Sequence, residues 1–113
     1  MKKERKVLIW GIGNKTEELL KNGINAEIIG FIVSKKNNSV FRNKPVYEPN
    51  EIPREYDYIL VATIYSDQIF EKCIECEIAL DKVVFLYRGA KTFFLEKENF
   101  FNWISIIKYI ISI

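Results

Sequence analysis

The sequence predicts an α/β domain with a mainly parallel sheet of about four strands, and three observations lead to that prediction. The segment KVLIWGIGNKT, residues 6–16, runs from an apolar stretch through Gly11 and Gly13 into a helical pattern. Apolar stretches and helical patterns then alternate along the chain, as they do in sheets covered by helices on both faces. The later apolar stretches are nearly continuous, which indicates buried strands. We therefore expect three layers, with the sheet between two layers of helices.

The first loop has the pattern G-x-G-x-x-T, formed by Gly11, Gly13 and Thr16. Glycine lets the backbone turn tightly there, and it lets a ligand approach where a Cβ would intrude. The helix that follows would direct its free N–H groups and the positive end of its dipole at a phosphate. Thr16 stands where a dinucleotide-binding loop usually has its third glycine. The pattern thus predicts a phosphate-facing loop of unusual sequence.

The predicted elements follow from apolar periodicity and from capping signals. Strands are predicted at residues 6–10, 26–33, 58–63 and 82–87, and helices at residues 15–22 and 67–75. Asn14 and Glu17 are spaced as a capping box for the first helix, and Gly23 is placed to end it. Ser66 is placed to cap the second helix. The apolar face of that helix combines Ile69, Phe70, Cys73 and Ile74. Between the second and third strands, prolines exclude a long helix and leave short extended pieces.

The length and composition predict a single soluble domain. A chain of 113 residues that is 49% apolar is long enough to bury one core. Its net charge of +2, with both signs interspersed, argues against nucleic-acid binding. Its apolar runs are shorter than the roughly 18 residues of a transmembrane segment, and the start lacks the apolar region of a signal peptide. We expect a cytoplasmic protein without a transmembrane segment.

Histidine and cysteine usage restrict the chemistry. The absence of histidine excludes nucleophile–histidine pairs, a histidine base and histidine-ligated metals. Cys73 and Cys76 form a C-x-x-C pattern, whose spacing suits a dithiol or half of a zinc site. No second pair completes four ligands, and reactive thiols favour helix N-termini rather than the helix end predicted here. We therefore expect two reduced thiols and no metal site, and we assign no catalytic residue.

The last twenty residues depart from the α/β pattern. On a helix, residues 100–113 would carry only a narrow polar stripe on an otherwise apolar surface. We therefore divide the chain into a nucleotide-binding-type domain at residues 1–92 and an apolar helical appendage at residues 93–113. The appendage could pack on its own sheet, or residues 100–113 could form a homodimer or bind a partner glycan enzyme. Attachment to a membrane surface is a third alternative.

A ligand crevice is expected at the carboxyl ends of the strands. With strand two on one side of strand one and strand three on the other, the switch in strand order falls above the first loop. Backbone N–H groups of that loop would bind phosphate, Thr63 and Ser66 would add hydroxyl donors, and Tyr65 would stack on a base or sugar. A purely structural role would account for these two residues equally well, with Thr63 ending a strand and Ser66 capping a helix. The candidate ligand-binding residues are Gly11, Ile12, Gly13, Asn14, Ser34, Lys35, Thr63, Ile64, Tyr65 and Ser66.

The residues after strand two do not suit ordinary NAD binding. The segment VSKK, residues 33–36, lacks an acid to accept hydrogen bonds from ribose hydroxyls. Lys35 and Lys36 would instead favour an additional phosphate, as in NADP or coenzyme A, or would simply be solvated in a loop. Glu17 and Glu18 open the first helix and would compete with a phosphate for its N-terminus.

Four segments together resemble a known family. The order GIG, IIGFIVSKK, NKPVYEPNEIP and YDYILVAT is similar to the Rossmann-like N-terminal domain of bacterial sugar O- and N-acyltransferases. Related copies accompany glycosyltransferases, FkbM-type methyltransferases and sugar dehydratases in capsule and lipopolysaccharide gene sets. The resemblance spans about residues 6–87. It implies a Rossmann-like fold and a bound nucleotide-linked sugar, with Gly11, Gly13 and Asn14 facing phosphate and the loop after Thr63 approaching the nucleotide or sugar.

The chain also departs from that family. The left-handed β-helix that carries acyl transfer is missing from this sequence, and Val33 stands where the family commonly has an aspartate. We therefore expect a nucleotide or nucleotide-sugar binding module of bacterial surface polysaccharide biosynthesis, without catalysis of its own. A UDP-sugar is the favoured ligand, ahead of NADP or coenzyme A. The alternatives are a small NAD(P)- or coenzyme A-dependent sugar-modifying enzyme using Tyr65, Lys35 or Asp67, and a ligand-free interaction scaffold.

Overall fold

The computed structural model describes residues 5–87, and within them the chain forms an α/β domain with six strands and two α-helices. The strands are β1 (Lys6–Trp10), β2 (Glu27–Ile32), β3 (Val40–Phe41), β4 (Lys44–Tyr47), β5 (Tyr58–Val61) and β6 (Val83–Phe85). The helices are α1 (Asn14–Asn22) and α2 (Ser66–Glu75), and short 3-10 turns occupy Pro49–Glu51 and Leu80–Lys82. The predicted boundary at residue 92 and the predicted appendage at residues 93–113 lie outside the described residues.

The sheet has the order β3-β4-β2-β1-β5-β6 and is parallel except for the β3–β4 pair. β1 therefore lies centrally, with β2 on one side and β5 on the other. Leu8 of β1 pairs with Gly30 of β2 and with Ile59 of β5. The expected arrangement of strands one, two and three is confirmed. Because β1, β2 and β5 run in the same direction, their carboxyl ends meet at one edge of the sheet.

The core is centred on the middle strands. Val7, Leu8 and Ile9 are all inaccessible to solvent, although successive side chains of a strand point to opposite faces of the sheet. Both faces of β1 are therefore covered, which is why this segment is continuously apolar. The same holds for β5 and β6. Their fully or nearly fully buried residues are Ile59, Leu60, Val61, Val83 and Val84.

The prediction of about four strands was incomplete, because β3 and β4 form a hairpin that extends the sheet beyond β2. The hairpin turns at Arg42 and Asn43, whose φ angles are 49° and 64°. Two consecutive positive φ angles are typical of the two-residue turns that match strand twist. Pro45 lies in one of the short extended pieces expected between the second and third predicted strands, and proline is compatible with a strand where its nitrogen needs no hydrogen-bond partner. It is accommodated because β2 pairs with β4 only at Val46 and Tyr47.

The N-terminal ends of the two helices correct two predictions. Gly13 is the N-cap of α1 and provides no side-chain hydrogen bond, so the capping box of Asn14 and Glu17 was wrong. Glu17 instead forms an ion pair with Arg42 of the hairpin turn. Ser66 is not the cap of α2 either, because Tyr65 holds the N-cap position and Ser66 lies in the first turn.

The end of α1 agrees with the sequence, whereas the buried face of α2 agrees only in part. Gly23 ends α1 as expected, with φ 91° and its N–H donating to the carbonyl oxygen of Leu20. On α2, Ile69 and Cys73 are buried as expected. Ile74, however, is 57% exposed, so its place on the buried face was wrong. A helix of ten residues buries only a narrow stripe, and Ile74 lies beside that stripe.

Gly30 lets the hairpin approach the centre of β2. A Cβ at this position would lie 2.7 Å from Cε2 of Tyr47, 3.0 Å from the carbonyl oxygen of Pro45 and 3.2 Å from Cδ2 of Leu8. The Tyr47 ring could rotate away, but the Pro45 carbonyl belongs to the backbone of the paired strand. A glycine in a strand interior often marks such a close approach.

Replacing Gly30 by Ala should therefore destabilise the domain. Overpacking of this kind costs about 1–3 kcal/mol, and urea denaturation would measure it. Gly13→Ala is the matched control, because a Cβ at Gly13 meets no atom within 4 Å. Because Gly13 is the N-cap of α1, where alanine is less favourable than glycine, the control should cost about 0.5–1 kcal/mol, less than the change at Gly30. Equal stability of the two variants would contradict the close packing of β4 against Gly30.

Candidate functional site

A cleft of about 720 Å³ opens at the carboxyl ends of the central strands. In the sheet, β1 has β2 on one side and β5 on the other, and the cleft lies at the end of β1, where the strand order changes direction. Such a switch in strand order is where open α/β sheets bind ligands. We call it the carboxyl-end cleft. Its described lining residues are Trp10, Gly11, Ile12, Gly13, Asn14, Lys15, Val33, Ser34, Ala62, Thr63, Ile64, Tyr65, Gln68, Ile69 and Lys72.

Gly11 forms the floor of the turn from β1 into α1. Its φ of 116° is rarely adopted by other residues, and a Cβ would lie 3.1 Å from the carbonyl oxygen of Ala62. The N–H of Gly11 donates to the carbonyl oxygen of Ile32 at 2.8 Å, and the N–H of Ala62 donates to that of Trp10 at 3.0 Å. The turn is therefore held between the ends of β2 and β5. The glycine predicted as necessary in this loop is required by both conformation and space.

Thr16 stabilises the same turn from within α1. Its side chain is fully buried, and its Oγ1 donates a hydrogen bond to the carbonyl oxygen of Gly11 at 2.7 Å. A threonine in place of the third glycine thus links the first turn of the helix to the end of the strand. A glycine at this position could not provide that link. The departure from the usual loop pattern has a structural role here.

Both helices begin at the rim of the carboxyl-end cleft, and neither N-cap side chain forms a capping hydrogen bond. The first intrahelical bond of α1 runs from the N–H of Glu17 to the carbonyl oxygen of Gly13. The N–H groups of the preceding turn have no acceptor within the helix. In α2 the first such bond runs from Ile69 to Tyr65. Two helix N-termini, each with a partial positive charge, therefore face one cavity.

The charged side chains lining the cleft are both cationic within the described residues, namely Lys15 and Lys72. The Nζ of Lys15 lies 5.1 Å from the centre of the Tyr87 ring and 3.9 Å from a carboxylate oxygen of Glu18. The Nζ of Lys72 lies 3.1 Å from a carboxylate oxygen of Glu75. Both pairs are exposed, so each contributes little to stability and the ammonium groups can reorient. The electrostatics of the lining favour an anion.

The mouth of the cleft is apolar. Ile12, Ile64 and Tyr65 are respectively 41%, 61% and 61% exposed, and all three line the cavity. Large apolar side chains that remain exposed around a cavity indicate a surface for a ligand or partner. The Tyr65 ring supplies a flat face of the kind on which a base or a sugar packs.

Eight of the ten residues proposed from the sequence line this cleft, while Lys35 and Ser66 do not. The Ser66 hydroxyl donates to the carbonyl oxygen of Tyr87, which fixes the end of β6 against the start of α2. Thr63 Oγ1 accepts a hydrogen bond from the N–H of Tyr65 at 3.3 Å. The Thr63 hydroxyl hydrogen can still donate to a ligand.

Lys36 is held away from the cleft. Its Nζ lies 2.8 Å from a carboxylate oxygen of Glu51, and its backbone N–H donates to Glu48. The hydrogen bond to Glu51 is the main reason why the pKa of Lys36 is raised. Lys35 is exposed in the same loop. The two lysines that were candidates for an additional phosphate therefore lie apart from the cavity.

The cleft also contains functional candidates that the sequence reasoning missed. Gln68 and Lys72 of α2 are spaced four residues apart, so they lie on one face of the helix, and both line the cavity with Lys15. The signal was present in the sequence, because Gln68 lies in the first turn of the predicted helix and Lys72 lies one turn further along. Only the packing of α2 beside β5 shows that this face is the one turned toward the cleft.

The two cysteines are free thiols. Cys73 is completely buried, and burial raises the pKa of its thiol to about 12, with a smaller contribution from Cys76. Low-pKa, accessible thiols are the reactive ones, so Cys73 has the character of a core residue. Among residues 5–87, no group of three or more Cys, Asp or Glu side chains is arranged to hold a metal ion.

A family model matches residues 3–84, which is more than two thirds of the chain. Its description is "C2185-like, N-terminal". The chain belongs to this family. The match includes the loop after β1, the whole of α2 and the cleft between them. Comparison with curated proteins gives no match. Neither helix within residues 5–87 combines the length and apolar character needed to cross a bilayer.

Replacing Thr16 by Val should lower the free energy of unfolding by about 1 kcal/mol, because the shape is kept while the hydrogen bond to Gly11 is lost. Thr16→Ser retains the hydroxyl and is the control. Urea denaturation of both variants would measure the difference. If the valine variant were as stable as the serine variant, the bond to Gly11 would not stabilise the turn.

At about pH 8, iodoacetamide should modify Cys76 at least about ten times faster than Cys73, because Cys73 is buried and remains protonated. Peptide mapping by mass spectrometry would give both rates. Urea should make the two rates similar, since unfolding exposes both thiols. Equal rates in the folded protein would place Cys73 outside the core.

Proposed function

We propose that this domain is a binding module for a nucleotide or a nucleotide-sugar and performs no chemistry of its own. The observation that carries the proposal is the charge distribution of the carboxyl-end cleft. Two helix N-termini and the ammonium groups of Lys15 and Lys72 face a cavity with no carboxylate among its described lining residues. A phosphate or diphosphate is the ligand group that such a site favours.

The topology supports a Rossmann-like arrangement as part of this proposal. The crossover from β1 through α1 reaches β2 on one side of β1, and the crossover from β5 through α2 reaches β6 in the other direction. Parallel crossovers are almost always right-handed. Two right-handed crossovers that run in opposite directions put their helices on opposite faces of the sheet. On this proposal α1 and α2 form the outer two of three layers.

The size and apolar surfaces of the cleft fit the remainder of a nucleotide-sugar. Its volume of about 720 Å³ falls within the range of roughly 300–1,000 Å³ found for small-molecule sites. Tyr65 and Ile64 provide surface for a base or a sugar ring, while Asn14, Gln68 and the Thr63 hydroxyl can hydrogen-bond polar groups. The first loop would hold phosphate between these two regions.

Among nucleotide ligands, we favour a UDP-sugar over NADP or coenzyme A. The latter two carry an additional phosphate, for which Lys35 and Lys36 were the candidates. Lys36 is occupied by Glu51, and Lys35 lies outside the cavity lining. An enzymatic role has less support, because general acid–base catalysis needs a positioned proton acceptor and no carboxylate is found among the described residues that line the cleft.

The proposed setting is bacterial surface polysaccharide biosynthesis, as the resemblance to the N-terminal domains of sugar acyltransferases implies. The family description as an N-terminal domain supports a modular role. We propose a cytoplasmic location, in keeping with the two unpaired thiols, since disulfides are rare in reducing compartments. Residues 100–113 remain the proposed contact to a second copy or to a partner glycan enzyme.

A ligand-free interaction scaffold is the second candidate function. The apolar mouth formed by Ile12, Ile64 and Tyr65 favours it, because exposed apolar side chains in one patch also mark protein contacts. The two functions differ in what they require of the cleft. A scaffold needs only the apolar mouth, whereas a nucleotide site also needs the cationic interior and the open approach beside Gly13.

Replacing Gly13 by Val should abolish nucleotide binding and leave the fold intact. The valine side chain would occupy open space on the cleft wall, and the φ of −94° suits any residue. Thermal unfolding would be measured with UDP, UDP-sugars, NADP and coenzyme A. At a hundredfold excess over Kd a ligand stabilises by about 2.7 kcal/mol and raises Tm by several degrees. Wild-type shifts that persist in the variant would contradict the site.

Lys72→Gln should weaken the same ligand about tenfold, because one charge-assisted phosphate contact is lost. Lys44→Gln removes the same charge from an exposed position in β4, away from the cleft, and is the matched control. Titration calorimetry at low salt would give the affinities. Equal losses in the two variants would indicate a general charge effect, and no shift with any nucleotide in the wild type would favour the scaffold.

A further inference from the structure

A second cavity lies at the opposite edge of the sheet and is independent of the proposed function. Its volume is about 490 Å³. It opens beside the amino ends of β1, β5 and β6, so we call it the amino-end pocket. Three separate segments form it, and its described lining residues are Arg5, Lys6, Arg54, Glu55, Tyr56, Asp57 and Lys82.

Four of these seven residues are cations. Within residues 5–87, Arg5, Lys6, Arg54 and Lys82 form no ion pair, since the salt bridges there involve other lysines and arginines. Like charges gathered in one concavity repel each other and raise the local concentration of anions. The lining therefore has an excess of positive charge that no ion pair within residues 5–87 neutralises, although Asp81 lies close enough outside it to act on Tyr56.

The two acids of the pocket do not balance this excess. Asp57 Oδ2 accepts a hydrogen bond from the backbone N–H of Lys6 at 2.7 Å, and the N–H of Asp57 donates to the carbonyl oxygen of Lys6 at 2.8 Å. Asp57 thus serves to join the amino ends of β1 and β5. Glu55 is the remaining acid. Counting four cations and two carboxylates, the lining carries a formal charge of +2.

Two tyrosines hold two of the cations in place. The Nη1 of Arg5 donates to Oη of Tyr58 at 2.7 Å, and its guanidinium lies 5.4 Å from the centre of that ring. The Nζ of Lys82 lies 5.3 Å from the centre of the Tyr56 ring. Contacts of this kind orient a cation without neutralising its charge. Two of the four donors are therefore positioned before any ligand arrives.

We propose that the amino-end pocket binds a compact polyphosphate, either free or as the phosphate tail of a larger molecule. Guanidinium groups present several donors in a plane that matches phosphate oxygens, and lysines add point charges. The described lining contains no aliphatic residue, in contrast to the carboxyl-end cleft with its isoleucines. The ligand is thus recognised by its charge, and a nucleoside attached to it should add little affinity.

The test is a titration of the 15N-labelled full chain followed by two-dimensional NMR, because this readout separates the two cavities residue by residue. Sodium tripolyphosphate is the probe, and inorganic phosphate and a nucleoside triphosphate are the comparators. Amide shifts should move at residues 54–57 and 82, with tripolyphosphate binding at least about tenfold more tightly than phosphate. Affinity should fall steeply as salt is added, since the contacts are electrostatic.

Variants then assign the binding to side chains. Arg54→Gln should weaken tripolyphosphate about tenfold, and Lys82→Gln should weaken it by a comparable factor. Lys44→Gln, with the same loss of charge at a distant exposed position, should change it less than about twofold. The nucleoside triphosphate should give the same affinity at residues 54–57 as tripolyphosphate.

Three results would overturn the proposal. The first is shifts confined to residues 11–15 and 63–68, which would mean that the probe binds only the carboxyl-end cleft. The second is an equal loss in Arg54→Gln and Lys44→Gln, which would mean general attraction to a basic protein. The third is equal affinity for phosphate and tripolyphosphate. The NMR signals of the carboxyl-end cleft come from different residues. A lack of polyphosphate binding at the amino-end pocket can therefore be distinguished from a lack of nucleotide binding at the cleft.

Discussion

The turn at Gly11 is the constraint on which the rest of the structure depends. The central strand ends there, because the backbone of Gly11 takes a φ of 116° and a Cβ on this residue would lie only 3.1 Å from the Ala62 carbonyl oxygen. The Gly11 N–H completes the ladder to β2, and the Trp10 carbonyl completes the ladder to β5. Thr16 then joins the helix back to the turn. Strand pairing, helix start and cavity floor are thus fixed by one short segment.

The chemistry of the carboxyl-end cleft follows from that geometry. Because parallel strands end at the same edge, the helices that follow β1 and β5 both begin there, and their uncapped N-termini point the same way. Lysines at the starts and along the inner faces of those helices add positive charge. An anion at this edge would provide acceptors for backbone donors that the protein leaves without side-chain caps.

The two edges of the sheet differ in a way that suits two kinds of ligand. The carboxyl edge combines cationic groups with an apolar mouth of Ile12, Ile64 and Tyr65, as a ligand with both charged and ring-shaped parts requires. The amino edge collects arginine, lysine and tyrosine side chains without aliphatic surface.

Exposed ion pairs such as Lys36–Glu51 and Arg42–Glu17 connect a loop and the hairpin turn to the rest of the domain. Each of these pairs contributes little to the free energy of folding.

The sequence alone determined the central strand, the glycine turn and the α/β alternation, because each depends on neighbouring residues: an apolar run, a pair of glycines, a helical period. It also located most of the cleft, since residues directly after parallel strands share one edge. Only the tertiary structure decided the β3–β4 hairpin, because the short extended pieces expected there become strands only through pairing with each other and with β2. Likewise, Lys36 is removed from the site by Glu51, and Lys72 is brought into it by the packing of α2. The amino-end pocket joins residues 5–6, 54–57 and 82, and no local pattern connects segments so far apart in the chain.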